Sequence, residues 1–369
     1  MNFSTPTGLQ VLLSSTPYAC ASLVPLTVGT LNVILRGTLD VPLKDGSTTV
    51  IVKHAKSVDA LAEGISWDAI RLDYENEMMQ AAREALRIEL PDSVTIGIPE
   101  VYYYDGKNKV LVMQDAGAEV KDLKASLLAG EINSKQADVI GCAIAKFSSK
   151  LHSWSKAQPQ LCEDIQKHRQ ATIVSVWATY GRLAETIGMV SESALEEHRE
   201  AFEHARLVMT KEMQDSANFG IIHGDYWTGN ILVSLDATNK DLGLESLYVI
   251  DWEISKVAPP LFDIGQMSAE IYLVNHFRQK SEAISLLDSL LRSCDGLDSL
   301  RSRCKMAVHF GTHLVVWPIR VPGWGTPKEV EACAKLGAEF IRKGLQGDVE
   351  WLELSVLGQL FKRRLTQTS

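Results

Sequence analysis

The chain has 369 residues, 46% of them hydrophobic, and a formal net charge of -9. This length and composition exclude a disordered chain and allow two lobes, each with its own core. The negative charge argues against nucleic acid or an anionic membrane surface as a main partner, and no run approaches the roughly 20 apolar residues of a membrane span. The six cysteines are scattered without zinc-type spacing, so we expect reduced thiols in a soluble, cytoplasmic protein whose partners are small molecules.

The first third of the chain predicts an antiparallel sheet. Residues 26–39 alternate as two strand arms around a glycine-bearing turn, and a turn at 44–47 leads into a strand over 48–53 that ends in Lys53. Residues 101–104 and 110–113 flank a turn and predict a second hairpin.

One helix is predicted within this sheet region, roughly from Trp67 to Leu90. Its predicted buried stripe consists of Ile70, Tyr74, Met78, Ala81 and Ala85. The composition changes after Gln114, which places a lobe boundary between an N-terminal lobe of residues 1–114 and a C-terminal lobe of residues 115–369.

The second lobe is predicted to be mainly helical, which makes the fold class α+β. Apolar residues at helical spacing run from Val139 to Leu151, and a further helix is predicted over 177–213. His152 ends the first stripe and is interpreted as structural. Residues 267–361 continue the helical pattern to near the end of the chain.

The most informative stretch lies in the second lobe. Apolar runs at 231–235 and 247–250 flank a polar segment at 236–241 and predict a hairpin, with Asp225, Asn230 and Asp251 at one end of it. Carboxylate and amide oxygens suit Mg²⁺, and Asp225 lies one short loop before Asn230, placed to accept a proton from an attacking hydroxyl. The pattern indicates phosphoryl transfer.

The spacing of His223-Gly224-Asp225, Asn230 and strand-end Asp251 resembles the aminoglycoside phosphotransferase and choline kinase superfamily, which has a protein-kinase-like bilobal fold. The resemblance implies ATP and Mg²⁺ as cofactors. It also implies Asp225 as the catalytic base and Asn230 and Asp251 as metal ligands.

The same resemblance assigns nucleotide contacts to the first lobe. Gly29, Asn32 and Lys53 are expected to cover and grip the phosphates, while the backbone of the hinge binds the adenine edge. The hinge residues are Gln114, Asp115 and Ala116.

Lys53 is expected to pair with a glutamate on the following helix, and Glu75 and Glu77 compete for this role. The superfamily form Arg-x-x-x-Glu matches the spacing from Arg71 to Glu75 and favours Glu75.

The residues around Asp251 indicate which branch of the superfamily the chain resembles. The chain has Asp251-Trp252-Glu253 where protein kinases have Asp-Phe-Gly, and it lacks an activation segment of the Ala-Pro-Glu type, so protein substrates are not expected. An Asp-x-Glu looks like the methylthioribose kinase branch, in which Glu253 would be a second Mg²⁺ ligand; the alternative is a solvated residue. Asp263 resembles an aspartate that ties down the catalytic loop.

Further motifs are similar to the 4-hydroxytryptamine kinase of psilocybin biosynthesis. They are residues 50–55, 248–256, 261–265 and 313–317, and Trp324 with its following glycine. This likeness implies an ATP-dependent kinase that phosphorylates a hydroxyl of a small metabolite. The alternatives are an aminoglycoside-type or choline-type kinase, or an inactive nucleotide-binding pseudokinase.

The acceptor is expected to bind in the helical lobe. Trp317, Arg320 and Trp324 form a predicted substrate cluster, although both tryptophans could instead be core residues. No acid lies between residues 317 and 324, so an indole or other aromatic alcohol, or a methylthioribose-like sugar, is favoured over a polycationic aminoglycoside. Whether the protein is a monomer or a homodimer, and whether it prefers ATP to GTP, stay open.

Overall fold

A computed structural model describes residues 3–28, 32–58, 66–190, 194–217, 219–235 and 242–362. Gly29 and the turn at 236–241 lie outside the described residues. Within them, the strands are β1 (Cys20–Val28), β2 (Asn32–Leu39), β3 (Thr49–Ala55), β4 (Ile88–Glu89), β5 (Thr95–Gly97), β6 (Val101–Asp105), β7 (Val110–Gln114), β8 (Lys121–Asp122), β9 (Ile221–Ile222), β10 (Ile231–Leu235), β11 (Leu244–Val249) and β12 (Lys256–Val257).

The α-helices of the described residues are α1 (Pro6–Leu13), α2 (Arg71–Leu86), α3 (Leu123–Ala129), α4 (Ser134–Lys156), α5 (Pro159–Gln166), α6 (Arg169–Val176), α7 (Arg199–Gln214), α8 (Leu261–Arg278), α9 (Ser281–Ser293), α10 (Leu300–Arg320), α11 (Pro327–Gln346), α12 (Val349–Leu354) and α13 (Gly358–Phe361). No helix in these ranges has both the length and the apolar character that a membrane crossing requires.

The first sheet is antiparallel throughout, with the strand order β1-β2-β3-β7-β6. Side chains alternate between the faces of a strand, so Val50 and Val52 of β3 join a small core with α1. Ile51 and Lys53 point to the opposite face, toward the cleft between the lobes. The predicted antiparallel N-terminal lobe is confirmed.

Helix α2 is shorter than predicted and is rotated relative to the predicted stripe. Its buried side includes Arg71, Glu75 and Ala82, whereas Ile70 and Ala81 are exposed. The apolar pattern misassigned this face because it takes account of apolar residues alone, whereas the charged residues Arg71 and Glu75 also lie on the buried side. These two charges are in fact buried against oppositely charged partners.

The second sheet has the strand order β4-β5-β11-β10-β8 and joins the two parts of the chain. The predicted hairpin is the antiparallel pair β10 and β11, and β5 adds to it in parallel. Residues before the predicted boundary therefore contribute to the sheet that carries the hairpin of β10 and β11. The boundary between residues 114 and 115 stays a prediction.

The second lobe is mainly helical, as predicted: α4 packs on α9, and α10 packs on both α8 and α11. The helix predicted over 177–213 is broken. A π-helical turn at Trp177–Gly181 and short 3₁₀ turns at Ala184–Met189 and Glu196–His198 precede α7. Such irregular turns often border functional sites, and this π-helical turn borders a cavity.

Candidate active site

Lys53 lies at the centre of a buried charge cluster. Its Nζ is 2.6 Å from a carboxylate oxygen of Glu75 and also contacts Asp251. Burial opposes the charge, but Asp251, Glu75 and Glu253 together raise the pKa of Lys53 above its usual value. Burial raises the pKa of Glu75 to about 7 even though Lys53 opposes the shift. The structure thus places Glu75, and not Glu77, against the strand lysine.

Arg71 forms a second layer of this cluster. Its guanidinium donates to Glu253 at 3.1 Å and to the side-chain oxygen of Asn32 at 2.9 Å. Asn32 in turn donates to the same oxygen of Glu253 at 2.8 Å. Asn32 therefore binds the segment after Asp251. It is not among the described residues that line the cavity next to Lys53 and Asp251. This differs from the phosphate contact expected for it.

Asp263, near the N-terminus of α8, fixes the loop that carries Asp225. The Asp263 carboxylate accepts hydrogen bonds from the backbone N–H groups of His223 at 2.8 Å and Gly224 at 2.9 Å. Gly224 has φ +86°, and a Cβ there would lie 2.4 Å from both the Ile254 carbonyl oxygen and Lys256 Nζ. Only glycine therefore fits at the middle position of His223-Gly224-Asp225. Asp263 occupies the tying position that the resemblance implies.

Asp225 is oriented by two amide side chains. Gln266 of α8 donates to one carboxylate oxygen at 2.7 Å, and Asn230 donates to the other at 3.2 Å. Burial, followed by the negative charge of Asp251, raises the pKa of Asp225 to about 6, while the Gln266 hydrogen bond opposes this shift. A carboxylate of this kind remains ionised at neutral pH and is basic enough to take a proton from a hydroxyl.

Asp251 has a left-handed backbone, φ +67°, which is unusual for a residue other than glycine. Strain of this type is often retained where function requires a side chain in a fixed position. Its carboxylate is about one-third exposed, in contrast to that of Glu75, and faces a cavity of about 430 Å³. We call this the nucleotide-side cavity, after the ligand that the resemblance implies for it.

The donor groups here fit a divalent cation. Asp251 and Asn230 both line the nucleotide-side cavity, and oxygen atoms of Glu75, Asp251 and Glu253 lie within 4.8 Å of one another. Three carboxylates face only two cations, Lys53 and Arg71, so the cluster has an excess negative charge. Hard oxygen donors with excess negative charge suit Mg²⁺. One oxygen of Glu253 already accepts a hydrogen bond from Arg71. The expected role of Glu253 as a metal ligand therefore competes with its role in holding Arg71.

The hinge residues Gln114, Asp115 and Ala116 line the nucleotide-side cavity together with Lys53. The Asp115 carboxylate forms a bidentate ion pair with Arg36, which donates to its two oxygens at 2.7 and 3.0 Å. Gln114 accepts a hydrogen bond from the Glu100 backbone at 3.1 Å. The side chains of Gln114 and Asp115 therefore hold the hinge in shape.

A second cavity of about 220 Å³ lies on the other side of Asp251, and we call it the acceptor-side cavity. Asp225 and Asp251 line one end of it. His309, His313 and Trp317, spaced four residues apart on α10, line its wall. Trp317 stacks on His313, and the imidazole of His313 is bonded to the buried carboxylate of Glu270 at 2.7 Å.

The structure brings only one member of the predicted substrate cluster to this cavity. Trp317 lines it, whereas Trp324 and Arg320 are absent from its described lining residues. Trp324 is buried, with the Lys124 ammonium 3.9 Å from its ring centroid, and Arg320 forms an ion pair with Glu185. Arg320 is the last residue of α10 and Trp324 lies beyond its end, so closeness in the sequence did not place them on the same wall as Trp317.

Lys256 was not singled out from the sequence, although it lies beside Asp225 in the acceptor-side cavity. Its buried ammonium contacts neutral oxygens, at 2.8 Å for Ser175 Oγ, 3.1 Å for the Ile254 carbonyl and 3.5 Å for the Gly224 carbonyl. Burial lowers the pKa of Lys256 to about 8, while Asp263 and Asp225 oppose the shift. No sequence spacing marks such a residue.

Arg71 and Gln266 were also not predicted as site residues, although the spacing of each from a residue that was singled out indicates its position. Arg71 precedes Glu75 by one helical turn, so the two share a face. Gln266 follows Asp263 by three residues on α8, which places it on the side that supports the catalytic loop.

Comparisons with known proteins identify the family. Residues 43–301 match the phosphotransferase enzyme family, and the chain belongs to that family. Phosphotransferase FrzJ from Cladobotryum sp is 25% identical, with 98% of each chain covered. The 4-hydroxytryptamine kinase of Psilocybe cyanescens is 25% identical, covering 87% of this chain and 85% of that protein.

A more distant relative is the methylthioribose kinase of Geobacillus kaustophilus, 26% identical over 80% of this chain and 70% of that protein. Among solved structures, a choline/ethanolamine kinase family protein from Mesorhizobium loti has a TM-score of 0.48 and 13% identity, with 96% of this chain and 97% of that chain covered. The protein is a phosphotransferase enzyme.

Proposed function

We propose that the protein is a Mg·ATP-dependent kinase that transfers the γ-phosphoryl group to a hydroxyl of a small, flat acceptor. The observation that supports this most directly is that Asp251 lines both cavities while Asp225 lines the acceptor-side cavity beside it. A group bound on the nucleotide side and a hydroxyl bound on the acceptor side would meet at these carboxylates. Holding both reactants in line is the main requirement of phosphoryl transfer.

In this proposal Asp225 accepts the proton as the acceptor oxygen forms its bond to phosphorus and the bond to the leaving ADP oxygen breaks. Gln266 and Asn230 hold the carboxylate in place for that step. Asp251 and Asn230 would hold Mg²⁺, which neutralises the charge of the transferring phosphoryl group. Lys53, fixed by Glu75, would contact the nucleotide phosphates.

The acceptor class follows from the wall of the acceptor-side cavity. Trp317 and His313 present stacked rings, and the cavity of about 220 Å³ is below the roughly 300–1,000 Å³ of sites for drug-sized ligands. An aromatic or thioether-bearing alcohol fits this wall better than an aminoglycoside. Relatives named as kinases of 4-hydroxytryptamine and methylthioribose support the same class.

The test is ADP release from Mg·ATP with a panel of aromatic alcohols, thio-sugars, hydroxylated amines and kanamycin. We expect turnover that requires both Mg²⁺ and an aromatic or thio-sugar acceptor, and Asp225→Asn as the matched control should lack it. A catalytic efficiency for kanamycin above that of every other acceptor would contradict the acceptor class. Binding of Mg·ATP without turnover of any acceptor would favour an inactive nucleotide-binding protein.

A further inference from the structure

Trp67 is a residue of the N-terminal part of the chain that reaches the acceptor-side cavity. Its backbone pairs with Val58 in an isolated antiparallel bridge, with N–H to carbonyl distances of 2.8 and 2.9 Å. The residue is 4% exposed, and it lines the cavity together with Asp225 and Trp317. The cavity therefore has one indole from each lobe on its wall.

The Trp67 ring is held by the same network that holds the segment after Asp251. The Arg71 guanidinium lies 5.5 Å from the ring centroid. Arg71 is fixed in turn by Glu253 at 3.1 Å and by the Asp68 carbonyl at 2.8 Å. A guanidinium at this distance attracts the ring face, so the orientation of Trp67 is coupled to the catalytic centre.

The indole N–H of Trp67 is buried and has no hydrogen-bond partner among the described residues. An indole nitrogen can only donate, and a buried donor left unsatisfied costs about 1–3 kcal/mol. Seven other described residues also have such a buried atom, but Trp67 is the one that lines the acceptor-side cavity. Unsatisfied buried groups in a binding site commonly find their partner in the ligand.

We propose that Trp67 is an acceptor-binding residue whose indole N–H donates to a second oxygen of the acceptor, distinct from the hydroxyl that is phosphorylated. This inference rests on the proposed function and narrows it. The acceptor is then a flat alcohol with a further hydroxyl, ether or carbonyl oxygen, enclosed between Trp67 and Trp317. A site built to donate a hydrogen bond discriminates against an analogue that lacks the oxygen.

A pair of nearly isosteric acceptors tests the hydrogen bond: 3-methoxybenzyl alcohol and 3-ethylbenzyl alcohol, which differ by an oxygen in place of a methylene. We expect the wild-type protein to favour the methoxy compound by about tenfold in kcat/KM. Trp67→Phe, which keeps an aromatic ring, should remove this preference, and Trp324→Phe should retain it. An equal preference in wild type and Trp67→Phe, or none in wild type, would overturn the inference.

Indole N–H resonances of ¹⁵N-tryptophan-labelled protein give a readout that does not need turnover. The Trp67 signal, assigned by its loss in Trp67→Phe, should shift downfield with saturating 3-methoxybenzyl alcohol and less with the ethyl compound. A Trp67 signal that stays in place overturns the inference, whether or not Trp317 responds. The proposed function fails separately, when no acceptor in the wider panel is phosphorylated.

Discussion

The two cavities on either side of Asp251 are built differently. The nucleotide-side cavity, about 430 Å³, is lined largely by short contiguous segments such as 113–118 and 229–230, together with Lys53. The acceptor-side cavity, about 220 Å³, is lined by residues of α6, α8 and α10, by Trp67 before α2 and by residues around Asp225 and Asp251. Asp251 contributes to both.

In the proposed function, this difference separates phosphate and metal chemistry from recognition of the acceptor. Gripping phosphates and a metal requires a lysine, carboxylates and an amide at set positions, and short loops provide these. Recognising an acceptor requires a shaped wall, which helices provide through residues far apart in sequence. The following predictions test whether the two cavities act separately.

The largest effect is expected where the cavities meet. Asp251→Ala should lower kcat/KM by at least about 10⁴-fold, because several kcal/mol of charge stabilisation and metal-dependent nucleotide binding are lost together. Calorimetric titration with ATP, with and without Mg²⁺, measures the binding component. Unchanged Mg·ATP affinity in this variant would assign the metal to other ligands.

Asp225→Asn should affect chemistry and spare the nucleotide side. We expect kcat to fall by about 10²–10⁴-fold, because an amide cannot accept the proton of the attacking hydroxyl. The dissociation constant of Mg·ATP should change little. Turnover equal to that of the wild type would show that another group acts as the base.

Lys53 and Glu75 should behave as one unit on the nucleotide side. Lys53→Met and Glu75→Gln are each expected to weaken catalysis, and the double variant should be less impaired than the sum by a coupling energy of about 0.5–3 kcal/mol. Glu77→Gln is the matched control, because Glu77 lies two residues away and has no ion pair with Lys53. Additive effects at Glu75 combined with coupling at Glu77 would reverse the assignment.

The smallest effects on catalysis are expected for Trp317 and Trp324. Trp317→Ala should raise the KM of the best acceptor roughly tenfold, about 1.4 kcal/mol, and leave the KM of ATP unchanged. Trp324→Ala should instead lower the stability of the protein by about 3–5 kcal/mol, since its ring is buried over Lys124. Thermal unfolding and acceptor kinetics distinguish these outcomes; a raised acceptor KM in Trp324→Ala alone would exchange the two roles.

The sequence by itself determined the two-part fold and the stretch that brings Asp225, Asn230 and Asp251 to one end of a hairpin. Strand alternation predicted the first sheet and the hairpin after Asp225, and fixed spacing predicted which polar residues lie at its end. Such local patterns are readable because the period of a strand and the reach of a short loop are set by the backbone itself.

Only the tertiary structure decided which charges are buried and which distant residues share a wall. Arg71 and Glu75 rotate α2 away from its apolar stripe, because each charge is buried against a partner from another segment. Trp67, His313 and Lys256 meet at one cavity although more than fifty residues separate each from the next along the chain. Such contacts depend on how helices pack, and a single sequence does not record that packing.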